Sequence, residues 1–176
     1  KGLIIGAGSL GLEMAEAFTA VGIEITIIEM MPNILGTMDN EINELVEQTL
    51  KNHGVKLFKS EKIIKFNGEN SSVRQAVTES GNLIDTELVL VGTGVRPDSS
   101  IAEKASIKLG KNGAIEVNEH METSIPDIFA AGDCAETYHL VYGRNVYMPL
   151  GTTANKQGRT AGANMAGDIT QFYGTA

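Results

Sequence analysis

Three spaced glycines directly behind a short apolar run constrain the fold of this chain more than any other feature. The chain opens with KGLIIGAGSLGLEMAEAF, in which GLII at 2–5 predicts a buried strand. Gly6, Gly8 and Gly11 follow, and apolar residues at helical spacing then predict a helix over 9–21. A strand, a glycine turn and a helix in this order are typical of a dinucleotide-binding unit, in which amide N–H groups at the helix start face phosphate.

An acidic residue at the end of the next strand supports that interpretation. The β-branched run at 23–29 ends on Glu29, which follows Gly11 by 18 residues (29 − 11), close to the spacing of about 20 in the dinucleotide pattern. Such a carboxylate accepts hydrogen bonds from ribose hydroxyls and repels a 2′-phosphate. No Lys or Arg lies between Lys1 and Lys51, so the sequence favours NADH over NADPH. The alternative is an ordinary glycine turn beside an exposed glutamate.

The next segments predict an α/β fold. Asp39 precedes a helix whose apolar face is expected to carry Ile42, Leu45, Val46 and Leu50, and VKLF at 55–58 predicts a third strand. Strand, helix, strand, helix, strand is the order of a Rossmann-like, doubly wound parallel sheet.

An antiparallel meander is expected next. Three short strands separated by Gly, Asn and Ser turns are predicted at 62–66, 72–77 and 82–85. The run at 87–98 then resembles a buried parallel strand that ends in glycines and a proline. We therefore expect a domain boundary near residue 95.

The remaining residues predict a second region with its own acidic position. A short helix is expected near 99–105, followed by a strand at 114–118. A further strand at 127–133 would end on Gly132 and Asp133, and ligands bind at the carboxyl ends of strands in open α/β sheets. Equally, Asp133 could simply cap the following element. A hairpin or exposed loop is expected at 138–148, and a small-residue helix at 153–166.

Composition gives no support to several function classes. The net charge is −8 with no Lys/Arg cluster, which gives no support to nucleic-acid binding. No apolar stretch reaches the roughly 18 residues of a membrane span. Cys134 is the sole cysteine, which fits a reducing, cytoplasmic location and is best explained as a small buried residue rather than a catalytic thiol. The three histidines are scattered without the spacing of metal ligands, so no metal site is expected.

Four motifs in series carry a family resemblance across essentially the whole chain. They are GAGSLGLEMAE at 6–16, GTGVRPD at 92–98, TSIPDIFAAGDCAE at 123–136 and PLGTTANKQGR at 149–159. In this order they resemble the FAD-dependent pyridine nucleotide-disulfide oxidoreductases. The resemblance is strongest to the branch that contains coenzyme A-disulfide reductase, NADH oxidase and NADH peroxidase.

The resemblance implies a set of cofactor-binding positions. Glu13 matches a glutamate that hydrogen-bonds the nicotinamide carboxamide, and Asp133 matches an aspartate that binds the ribityl or pyrophosphate region of FAD. Thr152, Thr153 and Ala154 match a helix start that faces the flavin pyrimidine edge. Ser9 replaces a bulky side chain, often Tyr, that covers the flavin face in many members. The full implied set is Gly6, Gly8, Ser9, Leu10, Gly11, Glu13, Glu29, Met30, Gly94, Asp133, Thr152, Thr153 and Ala154.

The resemblance also implies how the chain is organised. Residues 1–95 would form an NAD(H)-binding domain, and 96–176 would form the carboxyl half of a partial, second FAD-binding α/β domain. The family's redox-active cysteine, its first FAD-binding GxGxxG and its C-terminal dimerisation domain are expected outside this chain. The parent protein would be a homodimer that passes hydride from NADH through FAD to a small-molecule acceptor: disulfide, polysulfide, peroxide or oxygen. This chain alone would bind NADH without turnover.

A second hypothesis stays open at this point. The chain could be a stand-alone nucleotide-binding or redox-sensing module without catalysis. A second GxGxxG and a lone cysteine upstream in the reading frame would favour the enzyme, whereas a start codon just before Lys1 would favour the sensor. A 2-hydroxy-acid or short-chain dehydrogenase is disfavoured, because those classes do not require the late AGD and PLGTTANKQGR motifs.

Overall fold

A computed structural model describes residues 1–36 and 38–176, which divide into two compact units, Lys1–Gly94 and Val95–Ala176. The elements of the first unit alternate between strand and helix and then continue as strands. They are β1 (Gly2–Ile5), α1 (Ser9–Ala20), β2 (Ile25–Ile28), α2 (Asn40–Asn52), β3 (Lys56–Phe58), β4 (Ile63–Glu69), β5 (Ser72–Thr78), β6 (Leu83–Asp85) and β7 (Leu88–Val91). The second unit contains α3 (Ser100–Lys104), β8 (Thr137–His139), β9 (Arg144–Val146) and α4 (Gly151–Met165).

A parallel sheet forms the centre of the first unit. Its strand order is β3-β2-β1-β7, with Ile4 of β1 opposite Ile27 of β2 and Leu90 of β7. Both faces of β1 and β2 are covered, which explains why these strands are continuously apolar rather than alternating. Ile4 and Ile27 pack on the side of the helices, where they meet Ala15 of α1 and Leu50 of α2. The predicted α/β class with a Rossmann-like parallel sheet is confirmed.

The antiparallel meander covers the opposite face of that sheet. Strands β4, β5 and β6 form a separate three-stranded sheet in sequence order. Ala76 of β5 and Ile84 of β6 pack against Leu3 of β1 and Ile28 of β2, so the two sheets share a small apolar core. The meander predicted from the short strands and their turn residues is therefore confirmed.

The apolar face predicted for α2 is wrong in its first half. Ile42 is 45% exposed and Leu45 is 65% exposed, whereas Val46 and Leu50 pack against the sheet. Asn43 takes the buried position instead, because its side-chain amide donates to the carbonyl oxygens of Met38 and Asp39 at 3.1 and 3.2 Å. The first turn of α2 therefore holds the preceding loop rather than an apolar neighbour.

Two strands expected in the second unit are not formed as strands. Within the described residues, the stretch at 114–118 pairs only through bridges of Ile115 to Leu109 and Ala135, and the stretch at 127–133 pairs only through a bridge of Phe129 to Glu122. A strand requires a ladder of partners, and isolated bridges do not provide one. Asp133 therefore follows an extended apolar segment rather than a regular strand.

The last part of the second unit agrees with expectation. β8 and β9 form the hairpin predicted within 138–148, and α4 covers most of the helix predicted at 153–166. Met121, Ala161 of α4 and Phe172 form one apolar cluster of this unit, and Ala102, Ile107 and Ile115 belong to another. No helix in the described part of the chain is long and apolar enough to cross a membrane.

Candidate functional site

The glycine turn between β1 and α1 is built by close backbone approaches. Gly6 has φ +103°, a conformation that side chains other than glycine rarely adopt, and a Cβ atom there would overlap the carbonyl oxygen of Gly92. A Cβ atom on Gly11 would overlap the carbonyl oxygen of Gly6. The turn is therefore packed between the end of β1 and the residue that follows β7, with α1 seated directly on it.

Gly8 differs from these two glycines because, among the described residues, the position of a Cβ atom on it is open. Its backbone is extended, with φ −78° and ψ −176°, and apart from its chain neighbours no heavy atom of residues 1–36 and 38–176 lies within 4 Å of the position that a Cβ atom would take. The fold itself therefore does not require glycine at this position. The open space at Gly8 is available to a ligand that approaches the backbone closely.

Glu29 joins the glycine turn to the loop after β2. One carboxylate oxygen, Oε2, accepts a hydrogen bond from the Ala7 amide at 2.8 Å, and Oε1 accepts one from the Met31 amide at 2.8 Å. The Leu35 amide donates in turn to the Ala7 carbonyl oxygen at 3.1 Å. Both polar groups of the buried residue Ala7 are thus held by the segment 29–35. We call this set of bonds the Glu29 clamp.

The first turn of α1 has no acidic side chain of its own. Gly8 is the N-cap residue, and the helix has neither a side-chain cap nor an acidic residue in its first turn. The first N–H groups of a helix have no partner inside it and carry partial positive charge. Together with the open space at Gly8, this helix end presents donors that suit an anionic ligand.

The sequence-predicted residues of the first unit divide into two groups in the structure. Gly6, Gly8, Gly11 and Glu29 meet at the carboxyl ends of β1 and β2. The others are exposed around or beyond this point, namely Ser9, Leu10, Glu13, Met30 and Gly94. Gly94 has φ +88°, which only glycine adopts without strain, and it follows β7 at the end of the first unit.

Sequence reasoning missed Ala7, Met31 and Leu35. They contribute main-chain groups rather than side chains, so their residue types carry no signal. Leu35 adopts φ +44°, a rare conformation for a residue other than glycine, and its amide donates to the Ala7 carbonyl oxygen. Only the position of Ala7 between two pattern glycines pointed to it.

The second unit places Asp133 beside a buried glutamine of α4. The Gly132 amide donates to Oε1 of Gln157 at 2.9 Å, and Nε2 of Gln157 donates to the Glu136 carbonyl oxygen at 3.0 Å. Gln157 is 1% exposed, so its amide fixes the chain on both sides of Asp133. Gly132 has φ +81°, and a Cβ atom there would lie 3.6 Å from the Cβ of Ala154. The Asp133 carboxylate is exposed next to this turn.

The start of α4 lies at the same turn. Leu150 is its N-cap residue, and α4 again has neither a side-chain cap nor an acidic residue in its first turn. Thr152 is exposed at this end and Thr153 is buried, while Ala154 lines an open groove with Asn155, Gly158 and Arg159. The structure therefore brings Asp133, Gly132 and the first turn of α4 together.

Two ionisable side chains near this turn have shifted pKa values. Burial raises the pKa of the Tyr147 phenol, and the neighbouring Asp133 adds to the shift. Burial also raises the pKa of the Glu136 carboxyl, and the charge of Glu116 adds to it. Gly110 makes room for Glu136, because a Cβ atom on Gly110 would overlap the Glu136 carboxylate.

Cys134 has a packing role in the structure. Its thiol donates to the Ala131 carbonyl oxygen at 3.4 Å, and the side chain packs beside the cluster that contains Ile115 and Ala135. No group of three or more His, Cys, Asp or Glu side chains that could hold a metal ion occurs among residues 1–36 and 38–176.

The chain is similar to known oxidoreductases over nearly its whole length. Residues 1–158 match the family described as pyridine nucleotide-disulphide oxidoreductase. The chain is 41% identical over 174 residues to an NADH oxidase of Methanocaldococcus jannaschii, covering 98% of this chain and 38% of that protein. It is 41% identical over 173 residues to an NAD(P)H coenzyme A polysulfide/persulfide reductase of Pyrococcus horikoshii, with the same coverage of 98% and 38%.

Solved structures of oxidoreductases are also similar to this chain over nearly its whole length. An NAD-dependent persulfide reductase from A. fulgidus matches with a TM-score of 0.87 and 42% identity, over 98% of this chain and 32% of that chain. A water-forming NADH oxidase from Lactobacillus brevis bound to NADH matches with a TM-score of 0.88 and 32% identity, over 99% of this chain and 38% of that chain. The chain thus spans about 38% of the length of its curated relatives. With nine-tenths of its residues matched, it belongs to the pyridine nucleotide-disulphide oxidoreductase family.

Proposed function

We propose that this chain is the NAD(H)-binding part of a flavin-dependent oxidoreductase that passes hydride from NADH through FAD to a small acceptor. In this proposal residues 1–95 bind NADH, and residues 96–176 are the carboxyl half of an FAD-binding domain. The observation that carries the proposal is the bond from the Ala7 amide to the Glu29 carboxylate at 2.8 Å. It joins the acidic residue after β2 to the glycine turn after β1, the two features that a dinucleotide site combines.

The candidate site residues of the first unit have distinct parts in binding NADH. The pyrophosphate lies over Gly8, where open space lets the nucleotide reach the backbone, and the uncapped start of α1 faces its negative charge. The free lone pairs of the Glu29 carboxylate accept the adenosine ribose hydroxyls. Ser9, Leu10 and Met30 line the approach, and Glu13 receives the nicotinamide carboxamide, as the family resemblance implies.

The same residues favour NADH over NADPH. A 2′-phosphate on the adenosine ribose would lie against the Glu29 carboxylate, and the sequence contains no Lys or Arg between Lys1 and Lys51 to offset the repulsion. Relatives differ in the coenzyme that their names give, NADH in one and NAD(P)H in another. The names of the relatives therefore do not decide the coenzyme, and the preference proposed for this chain rests on Glu29 and its surroundings.

The second unit fits part of an FAD site. The exposed Asp133 carboxylate suits the hydroxyls of a ribityl chain, and the uncapped first turn of α4, with Thr152, Thr153 and Ala154, suits an electron-rich ring edge. Gln157 holds the Gly132 amide and the Glu136 carbonyl oxygen, and so keeps Asp133 in position. When bound, FAD supplies hydride acceptance from reduced nicotinamide and electron delivery to the acceptor.

The electron acceptor is proposed for the whole protein and not for this chain alone. The names of the relatives include NADH oxidases and polysulfide or persulfide reductases, so oxygen, polysulfide and persulfide are the acceptor classes we propose first. Disulfide and peroxide remain within the same proposal because of the family resemblance. A homodimeric parent protein is likewise a prediction of that resemblance.

A cofactor titration of the chain tests this proposal. We expect NADH to bind with one site per chain in calorimetry and NADPH to bind more weakly. FAD should separate from the chain in gel filtration, and the chain should not oxidise NADH. A chain that purifies with bound flavin and oxidises NADH would contradict the expected lack of turnover, and the absence of any NADH binding would overturn the nucleotide-binding proposal itself.

A further inference from the structure

We infer that the main-chain amides of Ala7 and Met31 determine coenzyme selectivity, because they hold the Glu29 carboxylate in place. The inference rests on the proposed function and concerns the same site. A carboxylate at the surface can normally rotate away from an incoming phosphate. In this chain each carboxylate oxygen of Glu29 accepts an N–H bond of 2.8 Å, so the negative charge is fixed where the adenosine ribose must lie.

Rotation of Glu29 would release both amides, and the one at Ala7 would be left without a partner. Ala7 is fully buried, with 0% exposure, so water cannot easily replace the carboxylate at its amide. Its carbonyl oxygen is held by the Leu35 amide at 3.1 Å, which keeps the Ala7 peptide from turning to find another acceptor. An unsatisfied buried donor is costly, and bonds to a charged acceptor are stronger than neutral ones.

The clamp leaves the carboxylate able to bind NADH. Each carboxylate oxygen offers about two acceptor positions, and the Glu29 clamp uses one on each. One position per oxygen remains, which matches the two hydroxyls of an unmodified ribose. A 2′-phosphate has no hydrogen to donate when fully ionised, so it meets a fixed negative charge without a compensating bond.

Removal of one of the two donor amides loosens the Glu29 carboxylate without changing its charge. Met31→Pro deletes the amide N–H that binds Oε1 and leaves the Glu29 side chain unchanged. Met31→Ala removes the side chain and keeps the amide, so the comparison of these two variants isolates the donor. Glu29→Asp provides a second test that keeps the charge, since a side chain shorter by one methylene cannot reach both amides.

The measurement is the ratio of the NADPH and NADH dissociation constants by calorimetry. We expect this ratio to fall by about tenfold in Met31→Pro relative to Met31→Ala, the factor that corresponds to one charge-assisted hydrogen bond. Glu29→Asp should lower the ratio similarly, which keeps the inference testable should Met31→Pro not fold. NADH binding with an unchanged ratio in the folded variants would overturn the inference alone. Absence of NADH binding in the parent chain would instead overturn the proposed function.

Discussion

Gly11 packs directly against the carbonyl oxygen of Gly6, so that a Cβ atom on Gly11 would overlap that oxygen. The contact seats the first turn of α1 on the end of β1. It explains why a helix position that would ordinarily favour alanine is occupied by glycine. The two residues act through the backbone alone and carry no chemistry of their own. Their contribution to a nucleotide site is to set how closely the helix start approaches the turn.

Gly11→Ala is therefore expected to destabilise the chain by about 2 kcal/mol, since the methyl group forces the helix away from the turn. Urea unfolding measures the change. Gly162→Ala is the matched control, because Gly162 also lies in a helix, but among the described residues no atom outside its own helix turn lies within 4 Å of its Cβ position. That control should gain up to about 1 kcal/mol from the better helix propensity of alanine. Equal gains in both variants would contradict the packing argument.

Gly8→Ala should weaken NADH binding without changing the stability of the chain. The extended backbone of Gly8 accepts any side chain, and in the part of the chain that the structure describes its Cβ position has no neighbour within 4 Å. We expect an unchanged unfolding midpoint but a loss of at least about tenfold in NADH affinity, because the methyl group occupies the path of the pyrophosphate. Calorimetry on the folded variant measures this loss. If Gly8→Ala binds NADH as tightly as the parent chain, the nucleotide does not pass over this residue.

Gln157 gives a test within the second unit. Gln157→Met keeps the length of the side chain but leaves the Gly132 amide and the Glu136 carbonyl oxygen without partners. Each unsatisfied buried group costs about 1–3 kcal/mol, so a loss of roughly 3 kcal/mol is expected in urea unfolding. Gln171→Met, at an exposed position, should leave stability nearly unchanged. Similar midpoints for the two variants would show that Gln157 does not hold the Asp133 turn.

Local patterns in the sequence were sufficient to predict most of the first unit. The strand before Gly6, the helix after it and the strand that ends on Glu29 each depend on apolar periodicity within a few residues. The turn residues between β4, β5 and β6 similarly predict a meander. Such elements can be predicted from the local sequence, because the residues that define each of them are close together in the chain.

Features that depend on distant partners were not predictable in the same way. The apolar run that ends on Asp133 has the composition of a strand, but strand formation depends on pairing, and Phe129 bridges only Glu122 within the described residues. Asn43 is buried because of two carbonyl oxygens in the preceding loop, which no helical periodicity encodes. The Glu29 clamp uses main-chain donors, and these are the same for every residue type except proline.

Glu136 predicts how the stability of the chain depends on pH. Burial raises the pKa of this carboxyl above its ordinary value of 4.5, and the charge of Glu116 adds to the shift. The folded chain therefore holds the proton more tightly than the unfolded chain. Stability should fall as the pH rises above 4.5, until the pH exceeds the pKa of Glu136 in the folded state.

Glu136→Gln removes this titration while preserving the size of a side chain that is 7% exposed. The stability of the variant relative to the parent chain should therefore be greater at roughly pH 7 than at roughly pH 4, where the parent carboxyl is largely protonated. Urea unfolding at both pH values measures the difference. Glu103→Gln, on the exposed side of α3, controls for the loss of one negative charge from a chain of net charge −8. Removal of a group whose pKa is raised by folding produces a gain in stability that grows with pH. The assignment of a buried carboxyl that retains its proton would therefore be contradicted if the stability of Glu136→Gln relative to the parent chain stayed constant or declined as the pH rises.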